Sequence, residues 1–412
     1  MRGSMTLLSV QAAQERILSS LEPVETVSLP LTECASRVLA QDIAAATDLP
    51  PFDNSSMDGF AVRAADAAAA SPASPRTLRV VADIAAGAAP AVHLAPGEAA
   101  RIMTGAPLPE GADAVVPVED TDFNDRAPGT PAPVQVQVFR PAEAGGFVRP
   151  RGMDARAGQV VLSKGHRLRP QDIGLMAMLG AANVSVYRKP RVALLSSGDE
   201  LLPVEQPLAA GKVHDSNSYA LAAQIESAGA ECIRLGIAAD ARAAIESLLE
   251  QAADADLILS SAGVSVGAYD FVREAVEAHG NLDFWRVNMR PGKPLAFGNY
   301  RGIPFFGLPG NPVSAFVTFE VFARAAIEKL SGMSAASRPR ARVRLEEAVE
   351  SDGRESYLRA VVHQVNEVLT ARLTGHQGSA NLLSLVQANA LLIVPAGVKS
   401  LPAGREVEAW LL

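Results

Sequence analysis

Cysteine is nearly absent. The chain of 412 residues has 2, Cys34 and Cys232, too few for a disulfide framework and without metal-ligand spacing, so both read as reduced packing residues. No apolar run approaches the ~18 residues that cross a bilayer, and no signal peptide is evident, which makes a cytoplasmic protein the expectation. Excess positive charge is missing too: the formal net charge is −8 with 20% charged residues, which argues against a nucleic-acid surface. An anionic ligand would therefore need a local basic pocket or a metal ion. Neither GxGxxG nor GK[ST] occurs at the glycine-bearing loop Ala262–Gly267, so a dinucleotide-binding or P-loop reading is weak there.

What is present is a stretch around which the rest can be arranged, DLILSSAGVSVGAYDFVREAVEAHG, residues 256–280. Leu257, Ile258 and Leu259 form the short apolar run of a strand covered on both faces, and Phe271, Val272, Ala275 and Val276 recur at helical spacing. The loop between them then lies at a strand's carboxyl end, where amides and a helix N-terminus favour anions. Gly263 and Gly267 permit close backbone approach, and Ser261 and Ser265 add hydroxyls. Asp270 sits where a helix N-cap belongs, a role that by itself explains an Asp at that position.

The length suggests about three domains. Ser9 is a plausible N-cap for a first helix with Val10, Ala13, Ile17 and Leu21 on one face. Pro50–Asp66 is a polar loop, and 77–139 carries short β-type runs between turn-rich linkers, which reads as an inserted small β domain. Pro170–Leu179 is helical in pattern. Residues 191–330 alternate strand and helix, the signature of a mainly parallel sheet, ending in a helix over Ala315–Leu330. After Gly332 the strands are spaced as in a small barrel or sandwich. The expected fold is thus multidomain α/β plus β: a discontinuous N-terminal domain (5–49 and 150–187), an inserted β domain (50–149), a mainly parallel α/β domain (188–333) and a C-terminal β-barrel domain (334–412).

Polar groups gather at strand ends of the α/β region. Asp199 and Glu200 follow one strand, Asp240 the next and Asp270 a third, more than helix capping requires, since Glu is a poor N-cap. Arg290 and Lys293 occupy the MRPGKP turn, expected to be hairpin-like, and Ser314 closes LPGNPVS. Acids and bases on one edge suit a highly charged anion, with carboxylates holding Mg²⁺ against phosphate oxygens. Elsewhere, Thr104 lies in a Gly-Pro turn, Arg149, Arg151 and Asp154 read as surface ion pairing, and Arg359 with 375–384 are polar exceptions in the β region.

Taken in order, PPFDNSSMDGFAV, RIMTGAPLPEGADAVV, VALLSSGDEL, HDSNSYAL, SAGVSVGAYD, MRPGKPLAFG and FGLPGNPVSAFVTF resemble the MoeA-type molybdopterin molybdenumtransferases, the family that includes the C-terminal domain of gephyrin. The resemblance runs over nearly the whole chain. It implies an elongated homodimer of four-domain subunits with a molybdopterin-binding-like α/β domain, inserting molybdate into adenylyl-molybdopterin with Mg²⁺ and releasing AMP and the molybdenum cofactor. It also implies functional contact with a molybdopterin adenylyltransferase and acceptor molybdoenzymes. By position it assigns catalytic duty to Asp58, Asp154, Glu200, Asp240 and Asp270, with Mg²⁺ on Asp240 and Asp270. It assigns substrate binding to Thr104, Ser261, Gly263, Ser265, Gly267, Arg290, Lys293, Pro294, Pro309, Ser314, Arg359 and Ser384. The sequence departs from the family pattern at Ala262, where Gly is usual, at Arg290, where Lys is usual, and at Met153, where an acid commonly precedes Asp154. The alternative reading is a non-catalytic molybdopterin-binding or scaffold protein.

Overall fold

The computed structural model describes residues 7–123, 129–261, 269–334 and 338–412, and the side chains of Tyr269, Asp270 and Trp285 lie outside this description. The chain forms two compact units. One comprises Asp42–Ser163 with Gly174–Ala181, and the other Met1–Gln41, Lys164–Ile173 and Ala182–Leu412.

The first unit is built on a five-stranded sheet in the order Ala114–Pro117, Gly59–Val62, Glu98–Ile102, Arg76–Ile84 and Gln135–Val138. The period of two divides its apolar residues between the faces: Phe60 and Val62 pack with Leu78, Val116 and Val136, while Ala61 packs with Ile84, Ala100 and Val115.

In the second unit the first helix, Val10–Ser19, is capped as its sequence requires, with the Ser9 hydroxyl accepting the Ala12 N–H at 3.1 Å. The α/β region contains strands β1 (Arg191–Ser197), β2 (Glu231–Ala238), β3 (Leu257–Ser261), β4 (Gly280–Arg286), β5 (Met289–Arg290), β6 (Pro294–Tyr300) and β7 (Ile303–Leu308). Its helices are α1 (Ser216–Ala228), α2 (Arg242–Glu250), α3 (Tyr269–His279) and α4 (Pro312–Thr318). The sheet order is β2-β1-β3-β7-β6-β4, parallel through the first four strands and antiparallel for the last two. The central strands are buried on both faces. Leu194, Leu257, Leu259 and Phe306 meet Leu221, Ile225, Val313 and Val317 on one side, and Ala193, Leu195, Ile258 and Phe305 meet Ile245, Leu249, Val272 and Val276 on the other. This two-sided burial explains the unbroken apolar runs.

The C-terminal region closes a five-stranded barrel from β8 (Arg340–Leu345), β9 (Glu355–Val365), β10 (Val368–Leu373), β11 (Ala390–Val394) and β12 (Glu406–Leu411). Its ring runs β9-β10-β8-β12-β11 and back to β9, with β8 and β10 parallel.

Two local expectations change. The last helix of the α/β region starts at Pro312, earlier than expected, because a proline fits a first helical turn, and it continues through a π-helical segment, Phe319–Ala323, into Arg324–Leu330. The turn carrying Arg290 and Lys293 is no simple hairpin: β5 leaves the sheet to pair in parallel with the start of β9, Met289 opposite Glu355 and Arg290 opposite Ser356. That joint ties the barrel to the sheet edge.

Leu259 is fully buried at the centre of the sheet. Leu259→Ala should destabilise this unit by about 2–5 kcal/mol in chemical denaturation, and a loss under about 1 kcal/mol would show that the packing around β3 collapses to fill the space.

Candidate active site

Parallel strands place their carboxyl ends on one edge, and the loops leaving β1, β2 and β7 meet the end of β3 there. A cleft of about 520 Å³ opens between them, lined by Glu200 after β1, Asp240 after β2, Ser261 at the end of β3 and Pro309 after β7, with Pro294 opposite. Glu200, Asp240 and Ser261, far apart in sequence, thus share one cavity.

The carboxylates are held close by backbone. The Asp240 amide donates to Asp199 Oδ1 at 3.1 Å. Gly198 has φ +151°, and a Cβ there would lie 2.6 Å from Glu200 Oε2, so glycine leaves room for that carboxylate to fold over the end of β1. Asp240 Oδ1 is buried with no hydrogen-bond partner among the described residues. Burial, and then the charges of Asp199 and Glu200, raise the Asp240 carboxyl above its ordinary value. A buried carboxylate oxygen without a donor is one a cation would satisfy, although the described acids do not by themselves gather into a metal-binding group. The hydroxyls of Ser196, Ser197 and Ser260 are likewise buried without partners among the described residues, and Ser197 borders this cleft.

Asn217, at the start of α1, donates to Ser261 Oγ at 3.0 Å and to the Gly310 carbonyl at 2.7 Å, bracing the end of β3 against the Pro309–Pro312 turn. It was missed in the sequence because it reads as one more polar residue behind the Asp215 cap, whose carboxylate accepts the Ser218 amide at 3.1 Å.

A second cleft, of about 310 Å³, adjoins the first through the shared residues Pro294 and Asn311. It is lined by Arg290, Lys293, Ser314 and Arg359, together with Arg354 and Gln377, and among the described residues no Asp or Glu lines it. Arg359 comes from β9 and is 1% exposed. Its Nε donates to Ser384 Oγ at 2.9 Å, and its Nη groups donate to the carbonyls of Gln377, His376 and Gly378 at 3.2, 3.3 and 3.0 Å. Burial, with a smaller effect from the Arg290 charge, pulls its pKa down to about 10, which leaves it charged at neutral pH. Ser384 therefore stands behind Arg359 and aims it; its hydroxyl in turn donates to the Asn381 carbonyl at 2.6 Å.

Asp58, Thr104 and Asp154 belong to the other unit. Asp58 Oδ1 accepts both the amide and the hydroxyl of Thr104, at 2.7 and 2.8 Å, and Arg149 donates to Asp154 at 2.6 Å in an exposed ion pair. Arg151 pairs with Asp48. Asp270 is the second residue of α3, inside the first turn and past the N-cap position expected from the sequence, because the helix already starts at Tyr269; its carboxylate lies outside the described residues, as do Ala262, Gly263, Ser265 and Gly267.

The parallel sheet edge, the acidic cleft and the cationic cleft beside it define an α/β protein equipped for an extended, strongly anionic ligand. Family models for the MoeA N-terminal region (domain I and II), a probable molybdopterin binding domain and the MoeA C-terminal region (domain IV) match residues 8–180, 193–329 and 342–412. A molybdopterin molybdenumtransferase 2 of Mycobacterium tuberculosis is 39% identical over 98% of this chain and 99% of its own. A molybdopterin molybdenumtransferase of Nostoc is 38% identical over 93% and 88%. The crystal structure of a molybdopterin biosynthesis moeA protein from Pyrococcus horikoshii superposes with a TM-score of 0.84 at 30% identity, covering 99% of this chain and 100% of that one. The chain belongs to the MoeA family.

Because Asp240 is raised in the folded protein, the fold prefers its proton. That stabilisation is complete below the ordinary carboxylate range and is lost as pH rises through the raised value. Asp240→Asn, neutral at every pH, should therefore raise the thermal midpoint of metal-free protein at pH 7, with the gain vanishing as pH falls to the ordinary carboxylate range. A gain independent of pH, or a loss at pH 7, would contradict the assigned electrostatics.

Proposed function

We propose that this chain is a cytoplasmic molybdopterin molybdenumtransferase that works as a homodimer and inserts molybdate into adenylyl-molybdopterin, with Mg²⁺, releasing AMP and the molybdenum cofactor. The relatives' names support the reaction class. The observation that carries the reading is the pair of adjoining clefts, one rich in carboxylates and one in cations, sharing Pro294 and Asn311.

The substrates are anionic at both ends of the reaction: molybdate is a dianion, and the adenylyl group is joined through a phosphoanhydride. In the cationic cleft Arg290, Lys293 and Arg359 neutralise the oxyanion, the Ser314 hydroxyl offers a further hydrogen bond, and Ser384 fixes the Arg359 fork. In the acidic cleft Asp240, with Asp270 from the first turn of α3, would hold Mg²⁺, whose charge when bound neutralises phosphoanhydride oxygens, and Glu200 lines the same cleft. The orphaned Asp240 Oδ1 fits this role. Asn217 keeps Ser261 and the Pro309–Pro312 turn in register beneath the ligand. Asp58, Thr104 and Asp154 are the remaining polar residues assigned to the reaction.

Incubation of the purified chain with adenylyl-molybdopterin, molybdate and Mg²⁺ should release AMP and form cofactor; binding of substrate without AMP release would leave a scaffold. Asp270→Ala should abolish Mg²⁺-dependent release while changing thermal stability little, and wild-type rates in that variant would leave Asp270 only the favourable charge of an acid in a first helical turn. Lys293→Ala, which removes a charge-assisted hydrogen bond, should raise the half-saturating molybdate concentration by roughly tenfold to a hundredfold and weaken pterin binding less. Equal losses in both would assign the ammonium to the phosphates.

A further inference from the structure

Arg354 shares the cationic cleft with Arg290, Lys293 and Arg359, and no role has yet been assigned to it. Its position follows from strand register. The parallel joint sets Met289 opposite Glu355 and Arg290 opposite Ser356, and Arg354, just before β9, donates through Nη1 to the Met289 carbonyl at 3.1 Å. Nε donates to Asp352 Oδ2 at 3.0 Å, Nη2 donates to the same oxygen, and Asp352 Oδ1 accepts the Arg354 amide at 3.1 Å. The guanidinium is thus fixed from two sides.

The other three cations differ from it. Among the described residues Arg290, Lys293 and Arg359 have no ion-pair partner, whereas Arg354 is paired with Asp352. Asp352 is not part of the cleft lining, so it balances Arg354 from behind without presenting a carboxylate to an incoming anion. Arg354, and secondarily the Arg290 charge, keep the Asp352 carboxyl below its ordinary value, which leaves it ionised throughout the neutral range.

We propose that Arg354 is a fourth cationic oxyanion-binding residue of this cleft, and that Asp352 limits how strongly the cleft holds its anion. A planar fork held in place offers directional donors to a tetrahedral oxyanion, while its carboxylate partner cancels the extra charge that would otherwise hold any anion indiscriminately. The inference rests on the reading of this cleft as the molybdate site.

Calorimetric titration of the full-length protein with sodium molybdate, at low ionic strength and without phosphate, tests it. Arg354→Gln should weaken binding about tenfold relative to wild type, and Arg354→Lys should recover part of the loss. Asp352→Asn should tighten binding several-fold, steepen its salt dependence and let sulfate compete more effectively. In turnover, Arg354→Gln should raise the half-saturating molybdate concentration and leave the maximal rate of AMP release near wild type. A folded Arg354→Gln protein with wild-type affinity would overturn the inference. So would Asp352→Asn weakening binding as Arg354→Gln does, since the pair would then be only a brace for the loop. If Arg354→Gln fails to fold, Arg354→Lys and Asp352→Asn carry the same comparison. Wild-type protein that binds no molybdate would overturn the oxyanion reading of the cleft and this inference with it, whereas wild-type binding with unaltered Arg354 variants overturns this inference alone.

Discussion

A deeply buried guanidinium with no carboxylate beside it among the described residues is the constraint on which the rest of this site depends. Arg359 is held by Ser384 and three backbone carbonyls, neutral acceptors that satisfy its N–H groups while leaving its charge uncompensated. Burying such a charge costs stability unless an opposite charge arrives. The neighbouring Arg290 makes that imbalance larger. The barrel strand β9 carries Arg359 to the rim of the sheet, and the parallel joint between β5 and β9 keeps it opposite the Arg290–Lys293 turn.

The acidic cleft shows the opposite imbalance. There a carboxylate oxygen of Asp240 is buried without a donor among the described residues, with Asp199 and Glu200 near enough to disfavour its ionisation. Each cleft alone is poorly compensated, and the two meet at Pro294 and Asn311. A ligand with phosphate at one end and oxyanion at the other, accompanied by a divalent cation, cancels both. Preorganised charge of this kind needs no rearrangement when the ligand arrives.

Much of this was legible in the sequence because it follows from local pattern. The apolar runs of β1 and β3, the helical periodicity of α2 and α3 and the Ser9 cap each depend on a few adjacent residues. The carboxylates at strand ends could be gathered on paper because a parallel sheet puts all such ends on one edge. The MRPGKP turn could not, since pairing with Glu355–Ser356 is a contact across more than sixty residues that no local signal encodes. Asn217 and Arg354 were hidden for the same reason: each acts by bridging to partners supplied by other segments, Ser261 and Gly310 in one case and Met289 in the other. Ser384 was associated with the oxyanion by resemblance, while its geometry gives it the narrower task of orienting Arg359.

The most direct test is to locate the anion itself. Tungstate, close to molybdate in size and charge, scatters X-rays anomalously, so crystals soaked with it in the presence of Mg²⁺ and AMP would reveal its position as a peak in an anomalous difference map. The account predicts a tungsten peak in the cavity bounded by Arg290, Lys293, Ser314 and Arg359, within hydrogen-bond reach of the Arg359 fork. A peak elsewhere, with that cavity holding only water, would contradict it.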